Sequence, residues 1–135
     1  MGTLTWEEQF EKWHHRLRFT SRDDLKLEVD AVLNNNLATH SVYGPIGSWD
    51  VGNVTDMAFM FSEASHFDQD LRDWNVSNVT NMEGMFHRAS SFDQVIGDWN
   101  VSNVTYMRGM FQGASSFNKA FGDHIFSIKP SAHGM

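Results

Sequence analysis

Trp74-Asn75-Val76-Ser77-Asn78-Val79-Thr80-Asn81-Met82-Glu83-Gly84-Met85-Phe86, continued by His87-Arg88-Ala89-Ser90-Ser91-Phe92, is the middle copy of a phrase that the chain writes three times. The pattern W-x-V-x-N-V-T-x-M-x-x-M-F-x-x-A-S-x-F recurs from Trp49 to Phe67 and from Trp99 to Phe117 with a step of 25 residues (74 − 49 = 99 − 74 = 25). A fixed period of this length marks a repeat architecture before any local propensity is consulted. Met57/Met82/Met107, Met60/Met85/Met110, Phe61/Phe86/Phe111 and Phe67/Phe92/Phe117 form apolar columns. A fourth pass begins at Phe117 and decays, with His124 where a tryptophan is due and Pro130 soon after.

One such unit cannot bury its own apolar side, and each large side chain left wet forgoes roughly 1.5–3 kcal/mol. Stacked units share a core. If each unit makes one coil, equivalent residues lie about 4.8 Å apart and every column becomes a ladder. The expected fold is therefore an α/β repeat solenoid.

Within a unit, Met82, Met85, Phe86 and Ala89 follow i, i+3, i+4, i+7, and Thr80 with Glu83 matches a capping box, so the pattern predicts a short helix. Gly84 and Gly109 weaken it and make it depend on packing. Val95 to Val101 is rich in β-formers and reads as a short parallel strand. Asn53, Asn78 and Asn103 stand at the corner between them, where amide side chains satisfy backbone groups and can bridge coils.

The M-x-x-M-F-x-x-A-x-x-F and W-[DN]-V-x-N-V-T-x-M phrases, with Tyr43-Gly44-Pro45-Ile46 leading into Trp49-Asp50-Val51, resemble the BspA-like surface repeat family, also met as the mycoplasma lipoprotein surface repeat, a leucine-rich-repeat relative. The resemblance covers roughly residues 42 to 123. It implies a right-handed, leucine-rich-repeat-like coil with strands on one face and helical turns on the other. It also implies protein or surface interaction and a cell-surface or extracellular setting, and it carries no catalytic residues.

Residues 1–40 read differently from the repeat region 41–128 and the tail 129–135. Thr5 with Glu8 opens one amphipathic helix, whose Trp6, Phe10, Trp13 and Leu17 form a stripe. Ser21 with Asp24 opens a second, with Leu25, Val29, Val32 and Leu33 on one face and Asn34-Asn35-Asn36 at its end. The second helix is expected to cap the first coil, because an open solenoid end exposes apolar core. For Trp6, Phe10 and Trp13 two readings stand: packing against the second helix or the solenoid flank, or an anchor that binds a partner or a second copy of the chain.

The chain carries 10 Lys and Arg against 17 Asp and Glu, a net charge of −7, which argues against nucleic acid as a partner. Hydrophobic residues make up 41% of the 135, enough for the core of one domain, but no run is long enough to span a membrane. Without a basic apolar leader the chain reads as intracellular or as a mature or excised segment. With no cysteine, disulfide and thiolate chemistry are absent. The column Asp73/Asp98/Asp123, with Asp68 and Asp93 beside it, reads as solvated carboxylates, with a bridging calcium ion as the alternative. His14 and His15 point different ways on a helix, and His66, His87 and His124 occupy different columns, so no transition-metal site is expected. Asn53, Asn75, Asn78, Asn100 and Asn103 each begin an Asn-x-Ser/Thr tripeptide, a recurrence that follows from the repeat itself.

No nucleophile elbow, phosphate loop, zinc signature or dinucleotide fingerprint occurs, so neither catalysis nor a cofactor is expected. A binding site should lie where units differ on a constant frame. On the presumed helical side Ala58/Glu83/Arg108, Ser62/His87/Gln112 and Glu63/Arg88/Gly113 vary; on the presumed strand side the acidic columns and Asp70, Arg72, Asp73 and Asp98 offer a surface. The strand side is the expected partner site, because a solenoid sheet offers a continuous flat or concave surface and the asparagine corners hold it rigid. The resulting expectation is a noncatalytic protein-interaction module. The alternatives are a structural subunit or homo-oligomer joined through Trp6, Phe10 and Trp13, and a calcium-stabilised surface adhesin fragment.

Overall fold

The computed structural model describes residues 18–34 and 44–117. Trp6, Phe10 and Trp13, the column member Asp123 and His124 lie outside the described residues.

Helix α1 spans Arg22–Leu33. Ser21 is its N-cap, and its side chain accepts the Asp24 N–H at 3.2 Å. Asp23 and Asp24 place negative charge in the first turn, where the helix dipole favours it. Leu25 and Val29 are fully buried, and Val32 and Leu33 pack against the same core.

The three units lie one against the next. The parallel bridges Asp56–Asn81 and Asn81–Tyr106 join equivalent positions. From there alternate backbone N–H groups cross to the following unit: Met57 to Asn81 O, Phe59 to Glu83 O, Phe61 to Met85 O and Glu63 to His87 O. Met82, Gly84, Phe86 and Arg88 repeat the set toward Tyr106, Arg108, Met110 and Gln112.

This is the stretch whose apolar spacing predicts a helix, and no helix forms there. The intervening N–H groups close tight turns instead, Met85 to Met82 O, His87 to Gly84 O and Ala89 to Phe86 O. Left-handed residues recur every fourth position and interrupt any helix: Phe59 (φ 58°) and Glu63 (φ 63°), then Gly84 (φ 59°) and Arg88 (φ 58°), then Gly109 and Gly113. Three of these six are not glycine, and each costs of order 1–2 kcal/mol. The bonds between units over-determine the conformation and hold it. The presumed capping box is not made either, since Glu83 N–H donates to Asn81 Oδ1 while Thr80 Oγ1 reaches back to Thr55 O.

The presumed strand Val95–Val101 likewise has no ladder partner among the described residues; it is an irregular segment with a turn at Gly97-Asp98. Here units meet through side chains. Trp74 Nε1 donates to Ile46 O at 2.8 Å and Trp99 Nε1 to Leu71 O at 3.1 Å, both buried.

Between the two sides lies the core. Phe61, Phe86 and Phe111 stack at 5.4 and 5.6 Å, and Phe67, Phe92 and Phe117 at 5.9 and 5.7 Å. The six methionines of the two columns are 0–1% exposed, and unbranched thioether chains fill the gaps beside the rings.

The first unit has no repeat before it, so its outward carbonyls need other donors. Helix α1 supplies them with side chains: Arg22 Nε donates to Ala58 O at 2.9 Å and Lys26 Nζ to Met60 O at 3.0 Å. Phe19 N–H adds a bond to Asp50 O, and its ring meets Trp49 at 5.5 Å.

Candidate interaction surface

Two surfaces face each other across the core, and they differ in how they are held. On the Trp side, Asp70, Arg72, Asp73 and Asp98 are all exposed. Asp70 Oδ1 accepts the Arg72 N–H at 2.8 Å and its carboxylate meets the Arg72 guanidinium at 3.4 Å. An exposed pair of this kind contributes at most about 1 kcal/mol. Asp70 and Asp73 line a shallow depression of about 240 Å³ with Pro45, Gly47, Ser48 and Gln69, which Asp98 does not join. Asp68 is engaged: its carboxylate accepts the Asp93 N–H at 2.8 Å and the Gln94 amide at 3.0 Å. Among the described residues no three carboxylate or imidazole groups are placed to hold a metal ion.

On the ladder side the backbone is paired from unit to unit, and outward side chains stand on that frame. Asp56 Oδ1 accepts the Ala58 N–H and Asn81 Oδ1 the Glu83 N–H, each at 2.9 Å. Tyr106, next in that column, has no such acceptor, and it is 62% exposed. Arg108 is exposed beside it. Phe59 is 44% exposed and lies over Gly84, where an added Cβ would overlap its ring. Among the described residues no side chain lies over Gly109 in this way: a Cβ there would meet only Gln112 Oε1, at 3.4 Å. The third unit thus presents an exposed aromatic ring and an exposed guanidinium in place of the small acceptor and the Glu83 of the second. Ser62 Oγ and His87 Nδ1 approach to 3.4 Å, and Arg88 meets Glu63 at 3.4 Å, both pairs linking adjacent units at the surface.

Sequence reasoning registered Ala58/Glu83/Arg108 as variable but missed Tyr106 and Phe59. The signal was there: the residue between Thr and Met in the phrase is Asp56, Asn81, then Tyr106, a loss of the small acceptor that caps the turn. The face of Asp70, Arg72, Asp73 and Asp98 was expected to be a sheet held by asparagine corners: Asn78 and Asn103 do bridge the units, while the backbone pairing lies on the other side. A further groove of about 450 Å³ runs between α1 and the first unit, lined by Lys26, Asp30, Leu33, Glu63 and His66 among others.

The model of the family described as Mycoplasma protein of unknown function, DUF285, matches residues 31–133. The chain belongs to this family. The DUF285 match starts inside α1 and takes in all three units. No curated protein and no solved structure matches the chain. Among the described residues no helix is long and apolar enough to cross a membrane.

Proposed function

We propose that this DUF285 chain is a noncatalytic protein-interaction module on a leucine-rich-repeat-related solenoid of the BspA-like surface type, and that its partner meets the ladder side of the third unit. The observation that carries this reading is the contrast at Tyr106. The same column is turned into the fold by small acceptors in units one and two, and in unit three it is an exposed aromatic ring beside Arg108. Tyr and Arg are the residue types most enriched where interfaces concentrate their energy, and a pre-paired backbone lowers the ordering cost of binding.

The test is affinity capture of the tagged full chain from its native cells, comparing the double variant Tyr106→Ala/Arg108→Ala with Asp73→Lys/Asp98→Lys. The first is expected to lose a stoichiometric protein partner with its thermal midpoint unchanged, and the second to retain it. Loss only with the second variant moves the site to the Trp side. Absence of any partner, with and without calcium, removes the interaction reading.

A further inference from the structure

The Asn-x-Ser/Thr tripeptides of the second and third units fall into two columns whose amides are used in opposite ways. Asn78 Nδ2 donates to Gly52 O at 2.8 Å and Asn103 Nδ2 to Ser77 O at 2.7 Å, each reaching back to the preceding unit. Those nitrogens are part of the structure. Asn75 and Asn100 use only the oxygen. Asn75 Oδ1 accepts the Ser77 N–H at 3.1 Å and the Ser77 hydroxyl at 2.6 Å, and Asn100 Oδ1 accepts the same groups of Ser102 at 3.0 and 2.7 Å. Both residues are exposed, and among the described residues neither Nδ2 donates to a protein atom. The first unit shows that the fold does not need that nitrogen: Asp50 stands in the equivalent place and its Oδ1 accepts the Gly52 N–H at 3.1 Å.

We infer that Asn75 and Asn100 are acceptor sites for an asparagine-linked sugar, and that Asn78 and Asn103 are not, although all four carry the tripeptide. The turn fixes each acceptor amide by its oxygen, and the other branch of the same planar group, the nucleophile, is held by no carbonyl among the described residues; at Asn75 it lies beside Gly52, 3.2 Å from where a Cβ on that glycine would stand. The donor is a sugar activated as a diphosphate ester. Nδ2 attacks the anomeric carbon, a C–N bond replaces the anomeric C–O bond, and the diphosphate leaves with the electron pair. The amide proton passes to a basic carboxylate of the transferase. At Asn78 or Asn103 the same reaction requires the nitrogen to give up its carbonyl partner and swing out of the corner between units. The assignment is independent of the function proposed above.

The experiment uses the folded full chain carrying Asn53→Gln, so that the first-unit tripeptide does not contribute. It is incubated with a soluble asparagine glucosyltransferase and UDP-glucose, beside the tryptic peptides 73–88 and 89–108, which hold the four asparagines without the fold. Intact mass of the folded chain is expected to rise by two hexoses, and fragmentation to place them at Asn75 and Asn100, while the peptides are also labelled at Asn78 and Asn103. Asn75→Asp/Asn100→Asp is expected to abolish labelling of the folded chain and leave its melting temperature unchanged. An unlabelled folded chain, or sugar on folded Asn78 or Asn103 at the level of the other two, overturns the assignment.

Discussion

On the ladder side of each unit the neighbours are joined by backbone, four N–H groups crossing from Met57, Phe59, Phe61 and Glu63 and four more from Met82, Gly84, Phe86 and Arg88. On the Trp side they are joined by side chains, the buried indoles of Trp74 and Trp99 each reaching a carbonyl 28 residues back in the preceding unit. The difference explains where the repeats are allowed to differ. Backbone bonds are indifferent to the side chain that stands outside them, so Asp56/Asn81/Tyr106 and Ser62/His87/Gln112 vary freely in size and charge. A bond made by an indole needs that indole, so Trp49, Trp74 and Trp99 do not vary.

The hardest way to break this arrangement is through the backbone of the ladder side. Gly84→Ala puts an L side chain at φ 59° and drives its Cβ into the Phe59 ring. The left-handed conformation costs about 1–2 kcal/mol and the displaced ring about 1–3 more. Gly109→Ala meets the same backbone cost at φ 67°, but its Cβ would meet only the end of the Gln112 side chain at 3.4 Å, so a loss of about 1–2 kcal/mol is expected. Urea midpoints of the two variants and of Phe59→Ala/Gly84→Ala separate the terms. The double variant should be less destabilised than the sum of its single changes. Equal losses at Gly84 and Gly109 would mean that the Phe59 ring yields without cost.

The Trp side gives way by a smaller amount. In Trp74→Phe the Ile46 carbonyl loses its indole donor but keeps the Trp49 N–H at 3.2 Å, so the acceptor is not orphaned. A loss of about 1–3 kcal/mol is expected from the missing bond and the volume removed. Trp99→Phe should match it, because Leu71 O is shared in the same way between Trp99 Nε1 and the Trp74 N–H. Thermal unfolding of the two variants checks the equivalence, and a twofold difference in their losses would break the picture of one bond repeated.

What the sequence made legible was which residues go inside. The columns of Met, Phe, Val and Trp are buried, with Phe117 at the end of its column partly so, because burial depends on the kind of side chain and its place in the period. What it hid was the backbone that puts them there. Apolar residues at i, i+3, i+4 and i+7 fit Met82, Met85, Phe86 and Ala89 to a helix. A string of turns with a left-handed residue every fourth position directs the same four inward. Gly84 and Gly109 pointed to that alternative, but Phe59, Glu63 and Arg88 occupy the same conformation against their own preference, held by bonds to a neighbouring unit that no local window contains. The Trp side was misread for the same reason, since β-propensity reports a half-buried pleated surface and Val101 and Trp99 are buried without one.

The corner asparagines sharpen the comparison with the smallest change, a nitrogen replaced by an oxygen. Asn78→Asp removes the donor to Gly52 O and sets a carboxylate against that carbonyl, so a loss of about 0.5–1.5 kcal/mol is expected, larger at low salt. Asn75→Asp keeps the oxygen that accepts Ser77 and reproduces what Asp50 already does one unit earlier, so no loss beyond a few tenths of a kcal/mol is expected. The two positions are three residues apart, both exposed and both asparagine, and they differ in the direction in which each amide is used. Thermal midpoints at two salt concentrations read it directly. If Asn75→Asp proves as costly as Asn78→Asp, the amide nitrogen at 75 has a structural partner, and the division of labour between the two columns fails.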